Sequence, residues 1–228
     1  VSGNKQTNAG NYTLTVTANG NFAGQKSMDW SILKRSVTLT SGSASKVYDG
    51  TPLTKHEVAV SGDGFVAGEG ASYAYTGSQT VAGSSDNAFS YTLNANTLAS
   101  NYVITTVNGK LTVTKASVVD PESGAEPGDG TVPDGGLSKF DTSFVYDGEA
   151  HTINTNALIK AFEGAMIGDI NVEYALDNGE NAPNDETWSA TPYAFTNVCE
   201  EVVWYRVQNE NYNDFVHAAK VVITTRPV

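Results

Sequence analysis

The sequence predicts a mainly β protein of tandem small modules, each a β-sandwich (Ig-like) or a β-grasp-like sheet, with at most one short helix in the last module. Three observations lead there. Thr, Asn, Gly, Ser and Tyr carry the polarity, and charged residues make up only 17% of the 228 positions. That mixture suits pleated, half-buried strands and turns better than helices. Short runs alternate apolar with polar, as at 12–16 and 89–93, the pattern of a strand with one buried face. Finally, the same short patterns recur along the chain.

The best-defined stretch is 101–116. Asn108-Gly109 lies between two runs rich in β-branched residues. Both turn residues tolerate positive φ, which predicts a two-residue type I′ hairpin. The register follows, with Val107 opposite Lys110, Thr106 opposite Leu111 and Ile104 opposite Val113. Tyr102, Ile104, Leu111 and Val113 then share one buried face, and Thr105 and Thr112 the other.

Three closing segments overlay on this one. Asn21-Phe22 leads to residues 30–35, Asn101-Tyr102 to 111–115, and Asn211-Tyr212 to 221–226. A strand precedes each, at 12–16, 89–93 and 202–207. Two openings also match: Val47-Tyr48-Asp49-Gly50 recurs as Val145-Tyr146-Asp147-Gly148. Asp-Gly is itself a hairpin turn signal, and each Asp has the short carboxylate that accepts local backbone N–H groups.

These matches divide the chain. Residues 1–35 have a closing half and no opening half, which predicts the closing half of a truncated β repeat with an unpaired edge. Residues 36–116 form a complete repeat. Residues 117–138 are acidic and rich in Pro and Gly, an extended linker unable to bury a core. Residues 139–228 form a second complete but divergent repeat. Leu158, Ile159, Phe162, Met166 and Ile167 recur near helical spacing between 156 and 168, so a short helix is expected there. Short strands are expected at 72–76 and 170–175, and a strand or turn at 78–82.

Tyr-Asp-Gly at each opening, Gly64-Phe65-Val66-Ala67-Gly68-Glu69 in the middle, and Asn-Tyr-x-Ile then Gly109-x-Leu111-x-Val113 at the close resemble the YDG- or MBG-type repeats of bacterial cell-surface adhesins. The last repeat is similar, through residues 146–152 and Asn211-Tyr212. It departs at Ala218-Ala219, where the middle repeat has Asn108-Gly109, and it lacks the Gly-Phe-x-x-Gly-Glu stretch. The resemblance implies an extracellular, wall-anchored protein of Gram-positive type in which such repeats act as stalk or adhesive units. It brings no catalytic residues.

The residues themselves suggest no enzyme. His56, His151 and His217 lack metal-ligand spacing, and His151 would face Phe144 across its turn. Cys199 is the one cysteine, flanked by Glu200-Glu201, which disfavours a reactive thiolate. The adjacent pairs Asp185-Glu186 and Glu200-Glu201 point to opposite faces of a strand. No catalytic residue, cofactor or metal ligand is therefore expected. Calcium on the loop 177–186 is the one cation left open. Tyr48, Tyr91, Tyr102, Tyr146, Trp204 and Tyr212 read as core. Tyr73 with Tyr75, and Trp188 with Tyr193, are the candidates for stacking on sugar rings. Lys46 and Asn101 are candidates for a Lys–Asn isopeptide crosslink.

A net charge of −12 argues against nucleic acid and anionic membrane surfaces, which need a basic face. No run approaches the ~18 apolar residues of a membrane span. The expected partners are a host mucin, glycan or matrix protein, or neighbouring modules of the same polypeptide, with the chain itself a monomer. The alternative function is an accessory carbohydrate-binding region of a larger extracellular glycan-active enzyme.

Overall fold

The computed structural model describes residues 1–119, 121, 140–177, 183 and 187–228. Apart from residues 117–119 and 121, the expected linker 117–138 lies outside them. So does most of the loop 177–186, of which only Asp177 and Pro183 are described. The protein is mainly β, with one α-helix among the described residues. It divides into two compact units, one of Val1–Ser45, Pro52–Gln79 and Ser84–Thr112, the other of Lys46–Thr51, Thr80–Gly83 and Val113–Val228.

The first unit begins with a ribbon, β1 (Gly10–Thr17) against β2 (Gln25–Ile32), antiparallel with Tyr12 opposite Trp30 and Leu14 opposite Met28. The expected alternation is present, yet no residue of the ribbon is fully buried. Next come β3 (Arg35–Ser41), β5 (Val58–Gly62) and β9 (Tyr102–Val107), a three-stranded sheet ordered β5-β3-β9. Facing it is a pair, β6 (Ala71–Tyr75) with β8 (Phe89–Leu93). Val37, Leu39 and Tyr102 form the buried centre, and Val58, Phe65, Tyr73, Phe89 and Ile104 pack on it from both layers. This is the two-layer sandwich. Each large apolar side chain it fully buries contributes roughly 1.5–3 kcal/mol.

The expected hairpin at Asn108-Gly109 does not form. β9 pairs in parallel with β3, with Arg35 opposite Tyr102 and Thr40 opposite Val107. The next strand, β10 (Gly109–Thr114), belongs to another sheet, ordered β4-β10-β7 with β4 (Ala44–Val47) and β7 (Gly83–Asn87). Both chains therefore bend from one sheet into the next at the same level, β3 into β4 through Gly42-Ser43 and β9 into β10 through Asn108. No non-glycine residue among those described has positive φ, and neither does Gly109, so a type I′ turn is absent. Gly109 is needed for another reason: a Cβ there would lie 2.4 Å from the Ser41 carbonyl oxygen and 2.5 Å from that of Gly42.

A buried polar clamp holds this bend. The Ser41 hydroxyl accepts from Gly109 N–H at 2.9 Å and donates to the Asn87 carbonyl at 2.6 Å. The Asn87 amide donates to the carbonyls of Gly42 and Lys55. The expected strand or turn at 78–82 is replaced by β7 five residues further on, and its polar sequence Gly-Ser-Ser-Asp-Asn gave no apolar alternation to reveal it.

In the second unit, β11 (Thr142–Val145), β12 (Asn171–Leu176), β13 (Cys199–Gln208) and β14 (Phe215–Thr224) form a sheet ordered β11-β14-β13-β12. β11 runs parallel to β14 and the other pairs are antiparallel. Helix α1 (Thr155–Ala165) starts where the Asn154 side chain accepts from Ala157 N–H, and buries Leu158 and Phe162. Phe162 meets Phe215 at 5.0 Å and Tyr205 at 6.4 Å between ring centroids. This single sheet under one helix matches the β-grasp-like alternative more closely than a sandwich. The helix ends three residues before the expected bound of 168, because Met166 turns extended (φ −110°, ψ 142°). Ala175, Trp204 and Ala218 centre the opposite face, against which Trp188 packs. β13 is thus covered on both sides, which explains why residues 202–207 are apolar without strict alternation.

Candidate functional site

The short motifs fall at equivalent places in the two complete repeats and build the same set of hydrogen bonds. Tyr48 N–H donates to the Thr114 carbonyl and Tyr146 N–H to that of Thr224, both at 2.9 Å. The Thr114 and Thr224 hydroxyls donate back to the carbonyls of Lys46 and Phe144. The opening strand therefore lies beside the end of the closing strand in both repeats. Five residues past each tyrosine comes a two-way bridge. Leu53 exchanges both backbone hydrogen bonds with Gln79, and His151 does so with Phe195.

Each Asp of Tyr-Asp-Gly closes its own turn. Asp49 Oδ1 accepts from the N–H of Thr51, and Asp147 Oδ1 from that of Glu149, both at 2.9 Å. Gly50 (φ 77°) and Gly148 (φ 85°) take the left-handed position that follows, which glycine occupies without steric cost. The Asp-Gly hairpin turns expected from sequence are corrected to this arrangement, in which the aspartate accepts the local N–H as expected but the chain runs on to Gln79 or Phe195 instead of folding back as a hairpin. The basic side chain beside the carboxylate differs: Lys46 lies 2.6 Å from Asp49, and the His151 imidazole 2.9 Å from Asp147. His151 stacks on Phe144 at 3.8 Å, the contact expected from sequence.

The Lys46 hydrogen bond, followed by those from the Thr51 hydroxyl and N–H, holds the Asp49 carboxyl well below the usual carboxylate range. The Glu149 N–H, then His151, depresses Asp147 in the same sense. Lys110 does so for Asp86. A carboxyl whose folded pKa is depressed adds stability above its unfolded pKa of about 4, and that stability is lost as pH falls through the folded pKa. The thermal midpoint is therefore expected to be flat from about pH 5 to 7 and to drop below about pH 4. Asp49→Asn is expected to flatten that acid limb. Thermal melts at several pH values check both.

The Asn-Tyr motif has a function that its sequence did not reveal. Within the first unit, Asn101 Oδ1 accepts from Ala9 N–H at 2.9 Å, and Arg35 pairs in parallel with Tyr102. Within the second, Asn211 Oδ1 accepts from Ala82 N–H at 2.7 Å, and Ala116 forms a parallel bridge with Tyr212. Ala9 and Ala82 sit in matching pentapeptides, Gln6-Thr7-Asn8-Ala9-Gly10 and Gln79-Thr80-Val81-Ala82-Gly83. Each closing Asn-Tyr therefore grips the end of the repeat before it, and the same junction is built twice. Tyr102 Oη accepts from Val66 N–H and Tyr212 Oη from Ile167 N–H. The last repeat thus has a counterpart of the Gly-Phe-x-x-Gly-Glu stretch in residues 165–169, which its sequence concealed.

Removing the Asn211 acceptor leaves the half-buried Ala82 N–H unpaired, at a cost near the lower end of the about 1–3 kcal/mol of a fully buried group. Asn211→Ala is expected to lower stability by that amount and to speed amide exchange at Ala82, whereas Asn211→Asp, which keeps an acceptor, is expected to lose less. Urea unfolding and hydrogen exchange measure the two effects.

The remaining predicted residues separate by packing. Tyr48 meets Tyr212 edge-on at 5.6 Å, both buried. Tyr102 and Trp204 are buried as expected. Tyr91 (36% exposed) and Tyr146 (41%) are corrections, since neither is core. Tyr91 stands on the outer strand of a two-stranded layer, and among the described residues no ring covers Tyr146 as Tyr212 covers Tyr48. Tyr73 and Tyr75 do share a strand face, but Tyr73 packs inward on Phe89 at 6.3 Å and Tyr75 stacks on His56 at 4.9 Å. Burial pushes the Tyr73 phenol pKa up. Trp188 lies half-buried with the Arg206 guanidinium 4.8 Å over its ring, and Arg206 is paired to Glu173 at 2.6 Å. Tyr193 is half-buried in the segment beyond it. Lys46 is engaged by Asp49 and Thr51, and Asn101 by Ala9 and Asn8.

A cleft of about 640 Å³ runs beside α1 and β12, lined by Thr155, Ile159, Glu163, Asp169 and Tyr174 among others. Its two carboxylates are solvent-exposed. Among the described residues, no cluster of three or more His, Cys, Asp or Glu could hold a metal ion, and no helix is long and apolar enough to cross a membrane. A scan against protein-family models and a search of curated proteins both find no match for this chain.

Proposed function

We propose that this chain is a non-enzymatic repeat region of a bacterial surface protein, acting outside the cell as a stalk or spacer or as an adhesion module toward host mucin, glycan or matrix. The observation that carries the reading is the junction built twice, with Asn101 on Ala9 and Asn211 on Ala82. Modules joined by a repeated set of backbone contacts transmit position along a chain, as in other quasi-one-dimensional arrays. The resemblance to YDG- or MBG-type repeats points the same way.

One observation favours a second reading, an accessory carbohydrate-binding region of a larger glycan-active enzyme. Arg206 holds the Trp188 ring on the sheet surface, and a fixed, partly exposed indole is a platform on which a sugar ring can stack. A glycan array and a mucin panel, each run with calcium and with chelator, test both. Saturable binding abolished by Trp188→Ala but kept by Tyr73→Ala assigns an adhesive or carbohydrate-binding surface to that face. Binding abolished by chelator would assign calcium a part. Absence of binding under both conditions favours the spacer.

A further inference from the structure

The ribbon β1–β2 has the position of a closing pair, but among the described residues no strand lies beside it as one does in both complete repeats. β2 corresponds to β14 and to the end of β10, with Ile32 matching Ile223 and Val113, and Leu33 matching Thr224 and Thr114. In the complete repeats, the strand that runs into Tyr-Asp-Gly donates its tyrosine N–H to the residue matching Leu33. It bridges, five residues later, to Gln79 or Phe195, the residues matching Gln6.

On the ribbon both receiving places are open among the described residues. Leu33 is 83% exposed, and Gln6 is exposed as well. β1 is covered on its far edge, since Thr15 exchanges both backbone hydrogen bonds with Ser2. Thr15 lies opposite Ser27, so alternation leaves the N–H and C=O groups of Ser27, Asp29 and Ser31 pointing away from β1 toward the free edge. The same side of the ribbon carries Leu14, Val16 and Met28 around a shallow hollow, and Met28 is 63% exposed.

We infer that the β2 edge is a docking site for one kind of partner, the opening strand of a repeat of this type. That strand is an extended segment running into Tyr-Asp-Gly, and it adds in parallel to β2. The register is set by the internal copies. The residue two before the tyrosine lies opposite Ile32, as Phe144 lies opposite Ile223. The tyrosine N–H meets the Leu33 carbonyl, and the residue five further on bridges to Gln6. Main-chain hydrogen bonds supply the affinity and the fixed register the selectivity, as in other cases of strand addition to a sheet edge. The inference rests on the repeat geometry and not on the surface-protein reading.

The test adds a synthetic peptide of residues 42–54 to the full chain and follows backbone amide exchange. The expected result is saturable protection, on the order of tenfold, at Asp29, Ser31 and Leu33, with a change in Trp30 fluorescence. A scrambled peptide is expected to give none. Ser31→Pro in the chain removes an outward N–H without touching the β1–β2 bonds and is expected to abolish protection while the thermal midpoint stays close to that of the parent. Lack of protection at millimolar peptide, or equal protection by the scrambled peptide, overturns the proposal. So does protection that rises with chain concentration alone, which would make the occupant a second copy of the ribbon.

Discussion

Gly109→Ala is expected to destabilise the first unit by at least about 3 kcal/mol, the upper range for forcing atoms into a packed interior. The added methyl would meet backbone atoms, the carbonyls of Ser41 and Gly42 at 2.4 and 2.5 Å. Neither can move without pulling apart the clamp of Ser41, Asn87 and Gly109. Gly42→Ala is the comparison. There the nearest atom, at 2.9 Å, is in the flexible Lys55 side chain, so a small loss is expected. The pair separates two structures. In a type I′ turn, Ala in place of Gly109 would cost only the left-handed penalty of roughly 1–2 kcal/mol, and Asn108→Gly would be favourable. In the observed bend Asn108→Gly loses roughly 0.5–1 kcal/mol of backbone entropy. Urea unfolding of the three variants decides between them.

That glycine also shows where the sequence stops being legible. Alternation and β-branched residues located most strands to within a few residues, because they report burial on one face. They could not report which strand lies alongside. Asn-Gly is a strong local signal, but a turn is worth little against the parallel pairing of β9 with β3 and the burial of Leu111 at 0% exposure. The tertiary partner, 67 positions away in the chain (Arg35 to Tyr102), won. Polar elements were hidden for a related reason. β7 and Asn87 earn their places through hydrogen bonds to Gly42 and Lys55, and hydrogen bonds leave no periodic trace. The Asn-Tyr motif was visible as a repeat, yet its purpose lay in an acceptor aimed at a neighbour's backbone. A signal for it existed in the matching pentapeptides at 6–10 and 79–83.

Phe162→Ala is expected to cost the second unit about 3–5 kcal/mol, the range for removing a fully buried aromatic ring. Helix α1 has 11 residues, below the ~12–15 at which an isolated helix becomes even marginal in water. It stands because Leu158 and Phe162, one turn apart, anchor it to the sheet. Phe162 is the larger anchor, touching both Phe215 and Tyr205. Its loss leaves a cavity among rings that cannot collapse, since Tyr205 and Phe215 are fixed in adjacent paired strands. Trp188→Ala removes a bigger side chain on the opposite face, but one that is half-exposed, so less than half that loss is expected. If the two variants lose equal stability in urea, the helix is not what secures this sheet. If Phe162→Ala alone also releases the amides of α1 to rapid exchange while β13 and β14 stay protected, the helix is a separable cover, and the cleft beside it can open without unfolding the sheet.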